Sequence, residues 1–222
     1  MWRCAVGAPG DETQARKHLD EQEIGRAARL RSAAASRRFI AARGALREIA
    51  ARYLGVEPTS LRFASEGRGK PRLVAPGDAA RLRFNLSHAG DLVLLAFCID
   101  HEVGVDVELT ARDVAWPDIA SRYFTPLEAR RLSELPAARR RRAFFVCWSC
   151  KEALGKALGE GLAATLAALE VPVPLGDEPA LVRLASSVSE QPWYLRGLAP
   201  GRGYVGALAC EIPPSAVRLF VG

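Results

Sequence analysis

The stretch WSCKEALGKALGEGL, Trp148 to Leu162, decides the fold and raises the main question about function. At about 100° per residue, Phe144, Cys147, Leu154 and Leu158 share one arc of a helical wheel. The segment therefore predicts a long helix that buries this arc and stops near Gly159. Lys151 lies inside the same arc, where leucine would be ordinary. Two readings of it stand side by side: a lysine whose stem covers apolar surface while its ammonium reaches water, or a cation set at a binding cleft. Glu152 and Lys156 share a second face four residues apart, a spacing that stabilises an exposed helix by ~0.3 kcal/mol.

Working outward, MWRCAV predicts a first strand and DETQARKHLDEQEIGRAARL a helix, acidic early and basic late as the helix dipole prefers. SRRFIAARGALREIAARYLG carries Phe39, Leu46, Ile49, Ala50 and Tyr53 at helical spacing, with Gly55 as its stop. Then come LRFAS, the glycine-rich turn EGRGKP, and two strand candidates, RLRFNL and DLVLLAFCI, separated by SHAG read as a turn. GVDVEL is a further strand. AWPDIASRYF and TPLEARRLSEL return to helix, the second with Thr125 as N-cap and Pro126 at its first position. VPVPL, LVRLAS, WYLRGL and GYVGALACEI predict short strands and turns. Helices and hairpin-linked strands in both halves imply an α+β fold rather than a repeated parallel unit, jointed at HEVG, residues 101 to 104.

The 222 residues, 49% hydrophobic and 25% charged, are ordinary globular material. No segment approaches the roughly 18 unbroken apolar residues of a membrane span, and the start lacks the apolar run of a signal peptide, which points to the cytoplasm. Five cysteines without regular spacing argue against a disulfide framework. Cys147 and Cys150 form a CxxC without a second pair, and the histidines do not stand at zinc spacings, so both read as apolar-face residues. A net charge of +6 favours an acidic partner. The densest basic run, Arg139 to Arg142, reads either as a solvated helix face or as a nucleic-acid contact, although no aromatic residues are interleaved with it.

Four further motifs matter. GRGYVG, Gly201 to Gly206, has the glycine spacing of a dinucleotide site, but it follows Pro200 and leads into a strand, so that reading is discarded. GRGKP lacks the spacing of a P-loop. In GVDVE, residues two apart share a face, so Asp106 and Glu108 stand side by side with Val105 and Val107 opposite. Adjacent carboxylates repel unless a proton or cation intervenes, and a hard divalent ion uses one or two carboxylates with phosphate and water; a polar outer strand face is the plainer alternative. SHAG would gather a hydroxyl, an imidazole and free backbone N–H groups at one tip, a set suited to an anion, or be an ordinary polar turn.

Taken in order, GKP, FNLSHAG, GVDVE and WSCKEALGKALGEGL, with RAARL and SRRFIAARGALR upstream, resemble the 4'-phosphopantetheinyl transferases, specifically the surfactin-synthetase-activating type. The resemblance covers about Gly25 to Leu162. It implies two similar lobes related by pseudo-twofold symmetry, residues 1–101 contacting the nucleotide and 102–222 holding the metal and catalytic helix. Each lobe would pack a small antiparallel sheet on helices. It implies transfer of the phosphopantetheine arm of coenzyme A to a serine of an apo acyl, peptidyl or polyketide carrier protein, releasing adenosine 3',5'-bisphosphate, with Mg²⁺ (or Mn²⁺) as cofactor.

Carried over by position, Asp106, Glu108 and Glu152 match the family's metal ligands, with Glu152 as base and Lys156 assisting the leaving phosphate. Ser87, His88, Asp106, Lys70, Lys151 and Lys156 match residues at the coenzyme A diphosphate, and Arg26 and Arg38 match basic residues at the 3'-phosphate. Gly155 replaces a larger residue, and RSAAAS lacks the acidic pair common there. A cytoplasmic monomer that engages neither nucleic acid nor membrane is expected. The competing readings are a basic nucleic-acid-binding module and an inactive coenzyme A-binding relative.

Overall fold

A capping box at Asp20 divides the first helical stretch. After β1 (Trp2–Ala5), the chain forms α1 (Asp11–Lys17) and α2 (Glu21–Ala28). Asp20 accepts from the Glu23 N–H at 2.9 Å, and Glu23 accepts from the Asp20 N–H at 3.2 Å. That reciprocal pair satisfies two donors at a helix start and corrects the expectation of one continuous helix. Glu23 also binds Arg43 and Arg47 of α3 (Ala33–Leu54), the latter fully buried. The computed structural model describes residues 1–6, 11–64, 70–74, 80–159, 169–173, 180–182, 191–214 and 220–221.

A small hairpin, β2 (Phe63–Ala64) with β3 (Arg72–Leu73), precedes β4 (Leu82–Ala89) and β5 (Leu92–Ile99). β6 (Val103–Leu109) begins the second half, followed by α4 (Trp116–Tyr123), α5 (Pro126–Glu134), α6 (Ala137–Leu158), β7 (Ala180–Val182), β8 (Trp193–Leu198), β9 (Tyr204–Cys210) and β10 (Phe220–Val221). One sheet has the order β10-β1-β5-β4 and the other β6-β9-β8-β7. The chain passes from the first to the second between β5 and β6, at the HEVG joint. Both are antiparallel except that β10 returns from the chain's end to pair parallel with β1, so the first sheet is mixed and its outermost strand comes from beyond residue 101.

The two sheets lie back to back between two long helices. Val93 and Leu95 of β5 join Leu46 and Ile49 of α3 in one core. Leu92, Leu94 and Ala96, on the other face of β5, join Val103, Val105 and Val107 of β6 and Leu208 of β9 between the sheets. Buried on both faces from Leu92 to Ala96, β5 needs the unbroken apolar run LVLLA there. Val205, Ala207 and Ala209 of β9 face away from that layer and meet Phe144, Leu154 and Ala157 of α6 in a third core. Phe144, Cys147, Lys151 and Leu154 of the arc predicted for α6 are buried and Leu158 is partly so, and the helix ends at Gly159, with φ 74. Thr125 caps α5, and Pro126 opens it.

SHAG is not a loop. β4 runs through Ser87, His88 and Ala89, and only Gly90 and Asp91 turn, with Ala89 opposite Leu92. WYLRGL and GYVGALACEI form β8 and β9. Most of EGRGKP, the latter parts of VPVPL and LVRLAS, and residues 160–162 lie outside the described residues. Among the described residues, no helix is long and apolar enough to cross a membrane.

Candidate active site

β4 and β6 are the facing edges of the two sheets, and side chains close the gap between them. Asn85 Oδ1 accepts the Val105 N–H at 2.9 Å, and Ser87 Oγ accepts the Val107 N–H at 3.3 Å. Two edge amides of β6 are thus satisfied across the seam, as buried backbone donors require. Ser87 is a β4 position whose small hydroxyl fits the seam, and it also reaches the first carboxylate, donating to Asp106 Oδ1 at 2.9 Å.

α6 packs over the outer face of β6 because Gly104 has no side chain: a Cβ there would stand 1.9 Å from the Ala153 carbonyl oxygen. That approach brings Lys156 down onto the strand. Its Nζ donates to Asp106 Oδ1 at 2.7 Å, to Ser87 Oγ at 3.0 Å and to the Val105 carbonyl at 3.4 Å. Asp106 is buried, yet its Oδ2 has no hydrogen-bond partner among the described residues. A buried carboxylate oxygen left open is costly, and it marks a place for a donor or cation. The helical pairing of Glu152 with Lys156 gives way to this tertiary ion pair.

The neighbouring carboxyls feel the crowding. Burial first, then Asp106, pushes the Glu152 carboxyl up to about 7, with Lys156 pulling the other way and Glu108 adding to the rise. Burial and then Asp106 also raise Glu108, opposed by Arg112 and by a hydrogen bond from the Trp148 side chain. Arg112 Nη1 lies 3.5 Å from Glu108 and is largely exposed. As these side chains stand, no group of three or more His, Cys, Asp or Glu among the described residues is arranged to hold a metal ion. Mg²⁺ asks less of a protein, commonly one or two carboxylates with water and phosphate. The open Asp106 oxygen and adjacent Glu108 fit that demand.

A cavity of about 570 Å³ opens on this seam, lined among others by Arg38, Ser87, His88, Asp106, Glu108 and Lys156. Those six sequence-predicted residues are therefore brought together, and Glu152 is coupled to them through its charge. Arg112, Asn85 and Trp148 complete the arrangement and were not singled out from sequence. Only Arg112 had a signal available, a basic residue four after Glu108.

Three predicted residues stand elsewhere. Lys151 is fully buried, and its Nζ pairs with Glu128 of α5 at 2.8 Å and donates to the Leu169 carbonyl. Glu128 in turn accepts the Thr125 N–H and the Val171 N–H, both at 2.7 Å. The expectation that Lys151 meets a diphosphate is corrected: its counter-ion comes from the protein, and the pair fastens residues 169–171 to α5 and α6. Lys70 is tied to Glu102 at 2.8 Å and to the Val103 carbonyl, and burial lowers its pKa against the pull of Glu102. Arg26 stacks over Phe39 at 5.2 Å. Neither lines the cavity.

Comparison with known proteins agrees with this arrangement. A family model described as 4'-phosphopantetheinyl transferase superfamily matches residues 102–209, and one described as 4'-phosphopantetheinyl transferase, N-terminal, matches residues 9–100. The 4'-phosphopantetheinyl transferase HetI of Nostoc sp. (strain PCC 7120 / SAG 25.82 / UTEX 2576) is 36% identical over 210 residues, 94% of this chain and 86% of that protein. The 4'-phosphopantetheinyl transferase psf-1 of Bacillus pumilus is 36% identical over 162 residues, 69% of this chain and 66% of the relative. The 4'-phosphopantetheinyl transferase Sfp of Bacillus subtilis (strain 168) is 27% identical over 168 residues, 76% and 71% of the respective chains.

Proposed function

The chain belongs to the 4'-phosphopantetheinyl transferase family, and from that premise we propose that it moves the phosphopantetheine arm of coenzyme A to a serine hydroxyl of an apo carrier protein, in a Mg²⁺-dependent reaction (Mn²⁺ as a substitute) that releases adenosine 3',5'-bisphosphate. The observation that carries this reading is the open oxygen of buried Asp106 beside Glu108, at the floor of a cavity rimmed by Arg38, His88, Arg112 and Lys156. Phosphoryl transfer needs little covalent help and much charge stabilisation, which is what cations around a carboxylate pair offer a diphosphate.

Asp106 and Glu108, with Glu152 beside them, would hold the metal, which when bound supplies positive charge to the diphosphate oxygens. Lys156 and His88 reach the same cavity and would orient the diphosphate, while Arg38, near the Gly90–Asp91 turn, suits the 3'-phosphate. Glu152 would take the proton from the carrier serine as that oxygen attacks the phosphorus bearing pantetheine. Lys156, whose Nζ is held at Asp106 and Ser87, would donate to the departing oxygen. Residues 1–101 would supply most nucleotide contacts and 102–222 the metal and base, a division supported by the seam between β4 and β6. We place the reaction in the cytoplasm and the protein as a monomer.

The nucleic-acid reading loses two of its four arginines to internal bonds. Arg140 donates to the Leu135 carbonyl, and Arg141 donates to the carbonyls of Thr110 and Arg112. The test of the proposal is incubation of purified protein with coenzyme A, Mg²⁺ and a panel of apo carriers, read by intact mass. One serine per carrier should gain phosphopantetheine, and Glu152→Gln should abolish the gain. A panel left unmodified by the wild type overturns the reading. Coenzyme A binding that survives Glu152→Gln, with no transfer by wild type, identifies the inactive binder instead.

A further inference from the structure

The GRGYVG motif, which does not bind a dinucleotide, has a use that the topology makes visible. It lies at the start of β9, on the second sheet, and it grips the first sheet at two points and the end of β6 at another. The Pro200 carbonyl accepts Arg3 Nη1 of β1 at 3.3 Å. The Gly203 carbonyl accepts both the N–H and the Oγ1 of Thr110, each at 2.9 Å. Gly203 has φ 82 in the turn closed by the Tyr204 N–H on the Gly201 carbonyl at 3.1 Å, a conformation that favours glycine. Gly206 allows close approach to the strand bearing Asp106, since a Cβ there would lie 2.6 Å from the Asp106 carbonyl oxygen. The glycine spacing serves packing between elements of this chain.

Tyr204 is the functional part of this clasp. Its ring is partly buried against the inter-sheet core, and its hydroxyl crosses to the β4–β5 turn, where a Cβ on Gly90 would stand 2.9 Å from Tyr204 Oη. Leu109, the register partner of Tyr204 at the end of β6, backs the same glycine. Gly90 and Leu109 both line the active-site cavity, and Ser87 and His88 lie just upstream of Gly90 on β4.

We infer that Tyr204 is a positioning residue for coenzyme A: by holding the Gly90 turn at a fixed distance from the end of β6, it sets the width of the cleft in which the anionic cosubstrate lies. This rests on the transferase reading above. Tyr204 itself touches no reacting atom, so its loss should weaken cosubstrate binding and leave the chemistry of Glu152 and Lys156 in place.

The test is steady-state transfer to one apo carrier with varied coenzyme A. Tyr204→Ala should raise KM for coenzyme A about tenfold with kcat within about twofold of wild type, and Tyr204→Phe, which withdraws only the hydroxyl that meets the Gly90 turn, should raise KM about threefold. Gly90→Ala adds a methyl against the tyrosine hydroxyl and should raise KM severalfold. The double variant Gly90→Ala/Tyr204→Phe removes that collision and should recover part of the loss, the remainder being the withdrawn hydroxyl and backbone strain at φ 54. An unchanged KM for Tyr204→Ala in an active background overturns the inference alone. Where Tyr204→Ala does not fold, a double variant no better than Gly90→Ala overturns it equally. A wild type that modifies no carrier overturns the transferase reading, and the inference falls with it.

Discussion

Gly104→Ala tests whether the site depends on the closeness of β6 to α6. The added Cβ would lie 1.9 Å from the Ala153 carbonyl oxygen and 2.7 Å from the Ala157 amide nitrogen, both backbone atoms of a helix that cannot swing aside. Ordinary contact begins at 3.4 Å, so strand and helix must part by about 1.5 Å. Overpacking of this severity costs ~3 kcal/mol, or about 6–12 °C of melting temperature in a chain of this size. The same displacement carries Lys156 away from Asp106, and a misplacement of about 1 Å commonly costs ~100-fold in rate. Gly155→Ala is the matched control: nothing lies within 4 Å of its added methyl, and the helix gains about 1 kcal/mol over glycine. In thermal melts and in carrier modification alike the two variants should therefore diverge, with Gly104→Ala unstable and slow and Gly155→Ala stabilised and active. If Gly104→Ala melts within about 2 °C of wild type and transfers at the normal rate, the packing argument for the site is wrong.

Other outcomes follow from the same geometry. Lys151→Met leaves Glu128 buried without its cation and should cost ~3–5 kcal/mol, while Lys151→Met/Glu128→Gln recovers only part of it, since an amide can accept from just one of the Thr125 and Val171 N–H groups; denaturant melts decide, and an unperturbed midpoint for the single variant refutes a structural role. The Glu152 carboxyl is raised from 4.5 to about 7, so the folded state holds that proton more tightly, a stabilisation complete below pH 4.5 and lost as pH rises through 7. It amounts to roughly 3 kcal/mol in all, of which about 1 kcal/mol disappears between about pH 6 and pH 8. In EDTA the melting temperature should fall over that interval and Mg²⁺ should restore it at the alkaline end; a profile equally flat in EDTA and Mg²⁺ counts against the carboxylate cluster.

Local chemistry was legible in the sequence, and partners distant along the chain were not. The wheel placed Lys151 in the apolar arc of α6, and it is indeed fully buried. Nothing local could say whether its counter-ion was a ligand or Glu128, because that depends on α5 packing beside α6. Asp106 and Glu108 fell on one strand face by the period of two, with Val105 and Val107 opposite in the inter-sheet core. SHAG reads as a turn because its residue types favour one, whereas the seam with β6 gives Ser87 a hydrogen-bonding task inside a strand. The Asp20 capping box was readable from its spacing to Glu23, but acidic residues there suit a helix interior near its start equally well. Asn85 carried no signal, since a polar residue within a strand announces its role only when the opposite edge is known.

That opposite edge explains why the site lies where it does. Two sheets joined by backbone ladders would form one continuous surface, with the carboxylates of β6 on a face and no room beneath them. Here β4 and β6 meet as edges, and only the side chains of Asn85 and Ser87 satisfy the two amides across the seam. A seam held by side chains leaves room for a cavity, and Gly90 and Leu109 at the ends of β4 and β6 are among the residues that line it. Ser87 consequently has two duties: its lone pairs receive the Val107 N–H and Lys156, while its proton goes to Asp106. The side chain that closes the sheet-to-sheet joint also fixes the carboxylate and the lysine on which phosphate chemistry would depend, so architecture and charge placement at this site cannot be altered independently.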